Sequence, residues 1–202
     1  MSQKQDFFKN KSKTYSKDSK RVRNVQTIAQ GMLKNIEYKE HMHIMDFGSG
    51  TGLLSIEIAP YVKKITGIDM SKSMNQELSN NKHLVDCDLE ILELDLSKSN
   101  IDKKFDGIIS SMTLHHVEDI KALFKKFHNM LENEGTIALS DLYTEDGNFH
   151  SEDTGVFHFG FDEDFIIECA AQAGFRKLKI EEVSVAKKPN ADYPIFLLTG
   201  IK

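Results

Sequence analysis

Ile44-Met45-Asp46-Phe47-Gly48-Ser49-Gly50-Thr51-Gly52 is an apolar run that ends in an acid and then breaks into glycine at every second position. A short amphipathic stretch, residues 53–59, follows it directly. Strand, tight turn and helix N-terminus are the parts from which a nucleotide-type ligand site is built. Glycine is required there because a side chain would block either the positive φ angles of the turn or the approach of a ligand to the backbone. Spacing then separates the ligands. A dinucleotide site has the pattern G-x-G-x-x-G, and here the third glycine comes one residue early; a phosphate loop needs a lysine after its last glycine, and Leu53 follows Gly52.

Outward from this loop the chain alternates β-branched or apolar runs with amphipathic ones. Strands are expected at residues 43–47, 64–69, 89–94, 105–110 and 135–140, the alternation of a mostly parallel sheet covered by helices on both faces. Helices are expected at residues 22–36, 53–59, 73–78 and 118–131. Ser73 with Gln76 makes a capping box for the third of these, and Ile120, Leu123, Phe124, Phe127, Met130 and Leu131 form the apolar stripe of the fourth. After residue 140 the texture turns polar and glycine-bearing, and residues 141–160 read as a long loop, of a length that is usually functional. A helix at residues 162–173 follows, with Asp162 as N-cap and Gly174 as its stop. Two late strands, residues 175–185 and 193–201, join through Pro189-Asn190 and are expected to be antiparallel.

At 202 residues the chain suits one domain. Its net charge of −5 argues against neutralising a nucleic-acid backbone as its main task. The first 23 residues nevertheless carry eight Lys or Arg against two acids, so residues 1–36 read as a basic arm and helix, a candidate lid, on an acidic body, residues 37–202. Cys87 and Cys169 have no CxxC spacing and indicate neither a disulfide framework nor a thiolate metal site. No apolar run approaches the ~20 residues of a membrane span, and the lysine-dotted N-terminus lacks a secretory core. The expectation is a soluble cytoplasmic protein, monomer or homodimer, without membrane insertion or a nucleic-acid partner.

From about Tyr15 to Ile201 the sequence resembles the class I S-adenosylmethionine-dependent methyltransferases, most closely the small-molecule enzymes of the ubiquinone/menaquinone-biosynthesis type. The resemblance implies a Rossmann-like doubly wound α/β fold, a mostly parallel seven-stranded sheet with one late antiparallel strand. It also implies S-adenosyl-L-methionine as cofactor. Gly48, Ser49, Gly50 and Gly52 would wrap its methionine part, with Asp46 near the sulfonium or amino group. Asp69, ending Ile65-Thr66-Gly67-Ile68-Asp69, would accept from the ribose hydroxyls, and Met70 and Met74 would flank adenine. Asp95 would accept from the exocyclic amine and Leu96 would donate its N–H to the ring. The Ser110 carbonyl would face the cofactor's amino group. Tyr15 matches a tyrosine that folds over the cofactor, although Ser16 stands where the family has an acid.

A sulfonium is an activated methyl donor, so the protein needs mainly to align a nucleophile and exclude water. A base is needed only for a nucleophile that starts protonated. His115 and His116, after the fourth strand, are candidates for base or substrate ligand. Tyr143, Phe149, His150, Phe157, His158 and Phe159 belong to a candidate acceptor loop, residues 141–161, for a small organic molecule. Asp141, His150 and His158 match no standard metal-ligand spacing, and no metal is assigned. Three rival readings remain open: a non-catalytic S-adenosylmethionine-binding partner protein, a nucleotide-dependent oxidoreductase, and a methyltransferase acting on RNA or protein.

Overall fold

In the computed structural model, which describes residues 6–9, 12–150, 154–189 and 191–202, the strands form one seven-stranded sheet. In chain order the elements are α1 (Ser12–Tyr15), α2 (Ser19–Asn35), β1 (His43–Phe47), α3 (Leu53–Ile58), β2 (Lys64–Asp69), α4 (Lys72–Asn80), β3 (Asp88–Glu93), β4 (Phe105–Ser111), α5 (Ile120–Met130), β5 (Leu131–Leu142), α6 (Glu163–Ala173), β6 (Arg176–Lys187) and β7 (Asp192–Ile201). The strand order is β3-β2-β1-β4-β5-β7-β6, and β7 alone runs against its neighbours.

Central parallel strands are apolar on both faces because helices cover both, and successive side chains point to opposite sides. Ile44 packs with Ile28 and Met32 of α2 and with Leu54 and Ile58 of α3. Its neighbour Met45 joins Phe124 and Phe127 of α5 and Ile166 of α6 on the other face. The chain leaves β1 toward β2 and β3, then returns across the sheet to β4 on the opposite side. The carboxyl ends of β1 and β4 are therefore the place where connections diverge and a crevice opens.

Several boundaries differ from the sequence expectation, each for a local reason. β5 runs through Leu142, so Asp141 and Leu142 are strand and not loop: they pair with Phe196 and Ile195 of β7, and Asp141 is fully buried. The polar texture hid this, because the partner that satisfies the backbone lies more than fifty residues downstream. The expected Ser73–Gln76 capping box does not form. Ser71 caps α4 by accepting from the Met74 N–H, and Gln76 bonds Asn80 instead. α2 begins at Ser19, ahead of the expected start, because Asp18 accepts from the Lys20 and Arg21 amides. Asp162 and Gly174 bound α6 as expected. β6 and β7 are antiparallel as expected, while Asn190 of their connecting turn lies outside the described residues.

Candidate active site

The glycine loop leaves β1 at Phe47 and crosses toward β2. Gly48 and Ser49 both donate their amides to the Ile68 carbonyl, Gly52 donates to Ser49, and Gly50 donates to the Asp69 carboxylate at 2.9 Å. Gly48, at φ +70°, has Thr113 so close that a Cβ would stand 2.2 Å from it. Gly50, at φ +53°, has room for a Cβ, whose nearest neighbour would be the Gly48 carbonyl at 3.9 Å. The loop thus turns its N–H groups inward, the reverse of an anion cradle, in which amides point at a phosphate.

Carboxylates complete this charge pattern. Asp46 is 1% exposed and accepts from the Ser55 hydroxyl at 2.6 Å. Burial above all pushes its carboxyl up to about 7, with Asp69 nearby adding to the rise. Asp69 is raised by burial too, and accepts from the Gly50 and Ser71 amides. Two carboxyl groups held above their ordinary range beside an amide-poor loop suit a cation. A sulfonium with an α-amino group and a ribose diol fits this set: positive charge beside Asp46, hydroxyl donors at Asp69.

The other cofactor candidates are placed less uniformly. Met74 is buried and Met70 is 52% exposed. Asp95 accepts from the amide and hydroxyl of Ser97 in its own turn, and Leu96 is buried with its carbonyl on Lys126. Ser110 donates its hydroxyl to the Phe47 carbonyl, bracing β4 against the start of the loop. Ser49 and Ser111 hold buried hydroxyls without a hydrogen-bond partner.

The arm folds back over the loop. Ser16 donates to Thr51 at 2.7 Å, Tyr15 carries the Arg21 guanidinium 3.9 Å above its ring, and Asp6 accepts from the Ser71 hydroxyl and the Ser73 amide. Phe8 sits edge-on to both Tyr15 and His116. Its aromatic rings therefore reach the histidines as well as the loop.

Beyond Thr113 the chain makes a 3-10 turn over Leu114–His116 and brings His115 against the end of β5. His115 Nδ1 and the Asp141 carboxylate are 2.6 Å apart, and the same carboxylate accepts from the His115 and Leu142 amides. His116 and His150 gather around this pair, their ring centres 4.3 and 5.2 Å from His115. Burial is the chief reason that both are pushed down to about 4, with the neighbouring His115 adding to it, so both are neutral near pH 7. His150 Nδ1 meets the Thr154 hydroxyl, and Phe149 stacks edge-on against His150. The side chains of Tyr143 and His158 have other partners, although the Phe157 and His158 amides donate to the His115 carbonyl. Tyr143 packs on Phe196, while His158 puts Nε2 on the Val117 carbonyl and its ring on Phe161. Asp141, His150 and His158 do not converge, and among the described residues no three His, Cys, Asp or Glu side chains are arranged to hold a metal.

The sequence reading missed the Asp141–His115 pair, the closure of Thr113 on Gly48 and the reach of Asp6. Asp141 did carry a signal, the same one that drew attention to Asp46 and Asp69: an acid at the carboxyl end of an apolar strand.

Comparison with known proteins matches residues 21–180 to a family described as a methyltransferase domain. An uncharacterized methyltransferase of Schizosaccharomyces pombe is 32% identical over 144 residues, which are 63% of this chain and 51% of that protein. The chain spans about half to two thirds of the length of the curated relatives it matches. A Haloferax volcanii protein solved in complex with the Trm112 methyltransferase activator superposes with a TM-score of 0.78 at 18% identity, over 98% of this chain and 99% of its own. A phosphoethanolamine N-methyltransferase of Haemonchus contortus, solved with S-adenosyl-L-methionine, gives 0.74 at 14% identity, over 100% of this chain and 60% of its own.

Proposed function

This chain belongs to the methyltransferase-domain family, of the class I type that takes its methyl group from S-adenosylmethionine, and from that premise we propose that it methylates a small-molecule acceptor beside the histidine cluster. The observation that carries this reading is the inward commitment of the Gly48, Ser49, Gly50 and Gly52 amides, which turns the loop away from an anion and sets it beside the carboxylates of Asp46 and Asp69, which suit a cation. When bound, the cofactor supplies a methyl group on a positively charged sulfur, a leaving group that needs no further activation.

The chain's own residues then orient and enclose. Asp46 takes the positive charge of the methionine end, and Asp69 accepts from the ribose. Tyr15 and Phe8 cover the crevice and keep water from the methyl group, so the arm serves as a lid. His115, His116, His150 and Phe149 form the acceptor side. Tyr143 and His158 shape the wall behind them.

An oxidoreductase using a dinucleotide is disfavoured by the same amides, since its pyrophosphate would find none of these four free. A non-catalytic binding protein has no need of the His116 and His150 rings, both neutral near pH 7, gathered around His115 beside the crevice. Titration calorimetry with S-adenosylmethionine, S-adenosylhomocysteine and NAD tests the donor, and the first two should bind while NAD does not. Binding without transfer of labelled methyl to any member of a broad acceptor panel would favour the partner-protein reading instead.

A further inference from the structure

The imidazole of His115 has one committed nitrogen and one that nothing meets. Its side chain is 2% exposed, with Nδ1 2.6 Å from Asp141. Asp141 is fixed in turn by two amides on its other lone pairs, from His115 and Leu142. Burial raises the Asp141 carboxyl, but the adjacent His115 and these hydrogen bonds bring the balance below the ordinary range, so it is an anion and an obligate acceptor. In the neutral ring the proton then sits on Nδ1, facing the carboxylate, and Nε2 is a bare lone pair. That Nε2 is buried and has no hydrogen-bond partner. A buried polar atom left unsatisfied is destabilising and calls for an explanation in terms of what later fills it.

Its position supplies the explanation. His115 follows Thr113, which closes on Gly48, by two residues, and its neighbour His116 touches the Phe8 ring of the arm. A second buried ring nitrogen without a partner among the described residues, His150 Nε2, belongs to a ring 5.2 Å from His115, and it is an acceptor in the tautomer whose Nδ1–H donates to the Thr154 hydroxyl. The partner that His115 Nε2 lacks in its neutral form is a hydrogen-bond donor.

We propose that His115 Nε2 is the general base of the reaction, held in its tautomer by Asp141 as a positioning residue, and that the acceptor atom bears a proton: a hydroxyl or amine X–H, not a tertiary amine, thioether or preformed anion. The inference rests on the methyl-transfer reading above. In the step, the X–H proton passes to Nε2 as the X lone pair forms the X–CH₃ bond. The C–S bond breaks with its electron pair staying on sulfur, and the imidazolium later releases its proton to water. His150 Nε2 accepts from a second donor of the acceptor and orients it.

Nitrogen-15 NMR of the full chain with S-adenosylhomocysteine reads the tautomer directly, and phenol serves as the acceptor probe. His115 should show a protonated Nδ1 and a bare Nε2 at pH 7, with the Nε2 resonance moving when phenol is added. Asp141→Asn should disturb that tautomer. With labelled donor, His115→Gln should slow methylation of phenol by about 10²- to 10⁴-fold, the usual worth of a positioned base. Pentafluorophenol, already ionised at pH 7, should lose less than about tenfold. S-adenosylhomocysteine affinity in the variant should stay within about threefold of the native value; failure of the native protein to bind it sinks the methyl-transfer reading itself. A protonated Nε2, a resonance indifferent to phenol, no phenol methylation by the native chain, or equal losses on the two probes would overturn the base assignment alone.

Discussion

Asp46 and Asp69 stand on neighbouring strands and are held protonated more readily than ordinary carboxyls because burial withholds the water that would stabilise their charge. For Asp46, lying near 7, this has two consequences of opposite sign. A raised folded pKa stabilises the free protein fully below the ordinary value of 3.8, and that stabilisation is lost as pH rises through about 7. A cation bound beside the group favours the carboxylate, so cofactor affinity should climb with pH up to about 7 and then level, with proton release on binding. Calorimetry in two buffers of different ionisation heat should detect that proton, and Asp46→Asn should abolish it. Asp69→Ala removes the acceptor proposed for the ribose and also frees the Gly50 and Ser71 amides. Its cofactor affinity should fall at least about tenfold, in line with roughly 1.5–3 kcal/mol for lost hydrogen bonds to a charged group, and an unchanged affinity in the folded variant would remove Asp69 from the site.

Among the elements, α4 and the arm depend on each other. Ser71 caps the helix through Met74 and at the same time donates to Asp6, so one hydroxyl links helix start and arm. Ser71→Ala should cost about 1 kcal/mol of stability for the cap, and should also loosen residues 6–9. Phe8→Ala acts on the arm alone, because Phe8 touches Tyr15 and His116 but no core residue among its ring contacts. Trypsin should then cut the lysine-rich arm faster while the melting temperature barely moves, and cofactor should slow the cutting. Equal cleavage of native and variant chains would mean that the arm is not held by this ring. The arm's basic character was plain in the sequence. Its docking was not, since Asp6 and Phe8 find their partners more than sixty and a hundred residues away.

For the whole molecule, the histidine cluster sets how stability responds to acid. His116 and His150 are lowered from 6.5 to about 4, mainly by burial, so the folded state holds fewer protons than the unfolded state across that interval. Their contribution is complete above 6.5 and is lost as pH falls through about 4. Urea denaturation of the native chain and of His116→Gln/His150→Gln at pH 7.5 and pH 5 should show the native chain losing stability relative to the variant on acidification. Asp46 titrates in the opposite sense but is common to both proteins and cancels from the comparison. The core is less sensitive to pH: Phe127, fully buried between Phe47 and Phe124, should cost about 3–5 kcal/mol on truncation to alanine at either pH.

The sequence alone determined the sheet, its late reversed strand and the position of the ligand loop, because strand alternation, helix periodicity and glycine spacing are written within a few residues of one another. The same local reading identified Asp46 and Asp69 as acids at or near the ends of apolar strands. Only the tertiary structure decided that the loop's amides face inward, that His115 pairs with Asp141, and that His150 joins them while Tyr143 and His158 do not. Most of those facts depend on contacts between residues 19 to 53 positions apart, brought together where neighbouring strands of the sheet end side by side. No pattern along the chain records which of several nearby polar side chains will meet there.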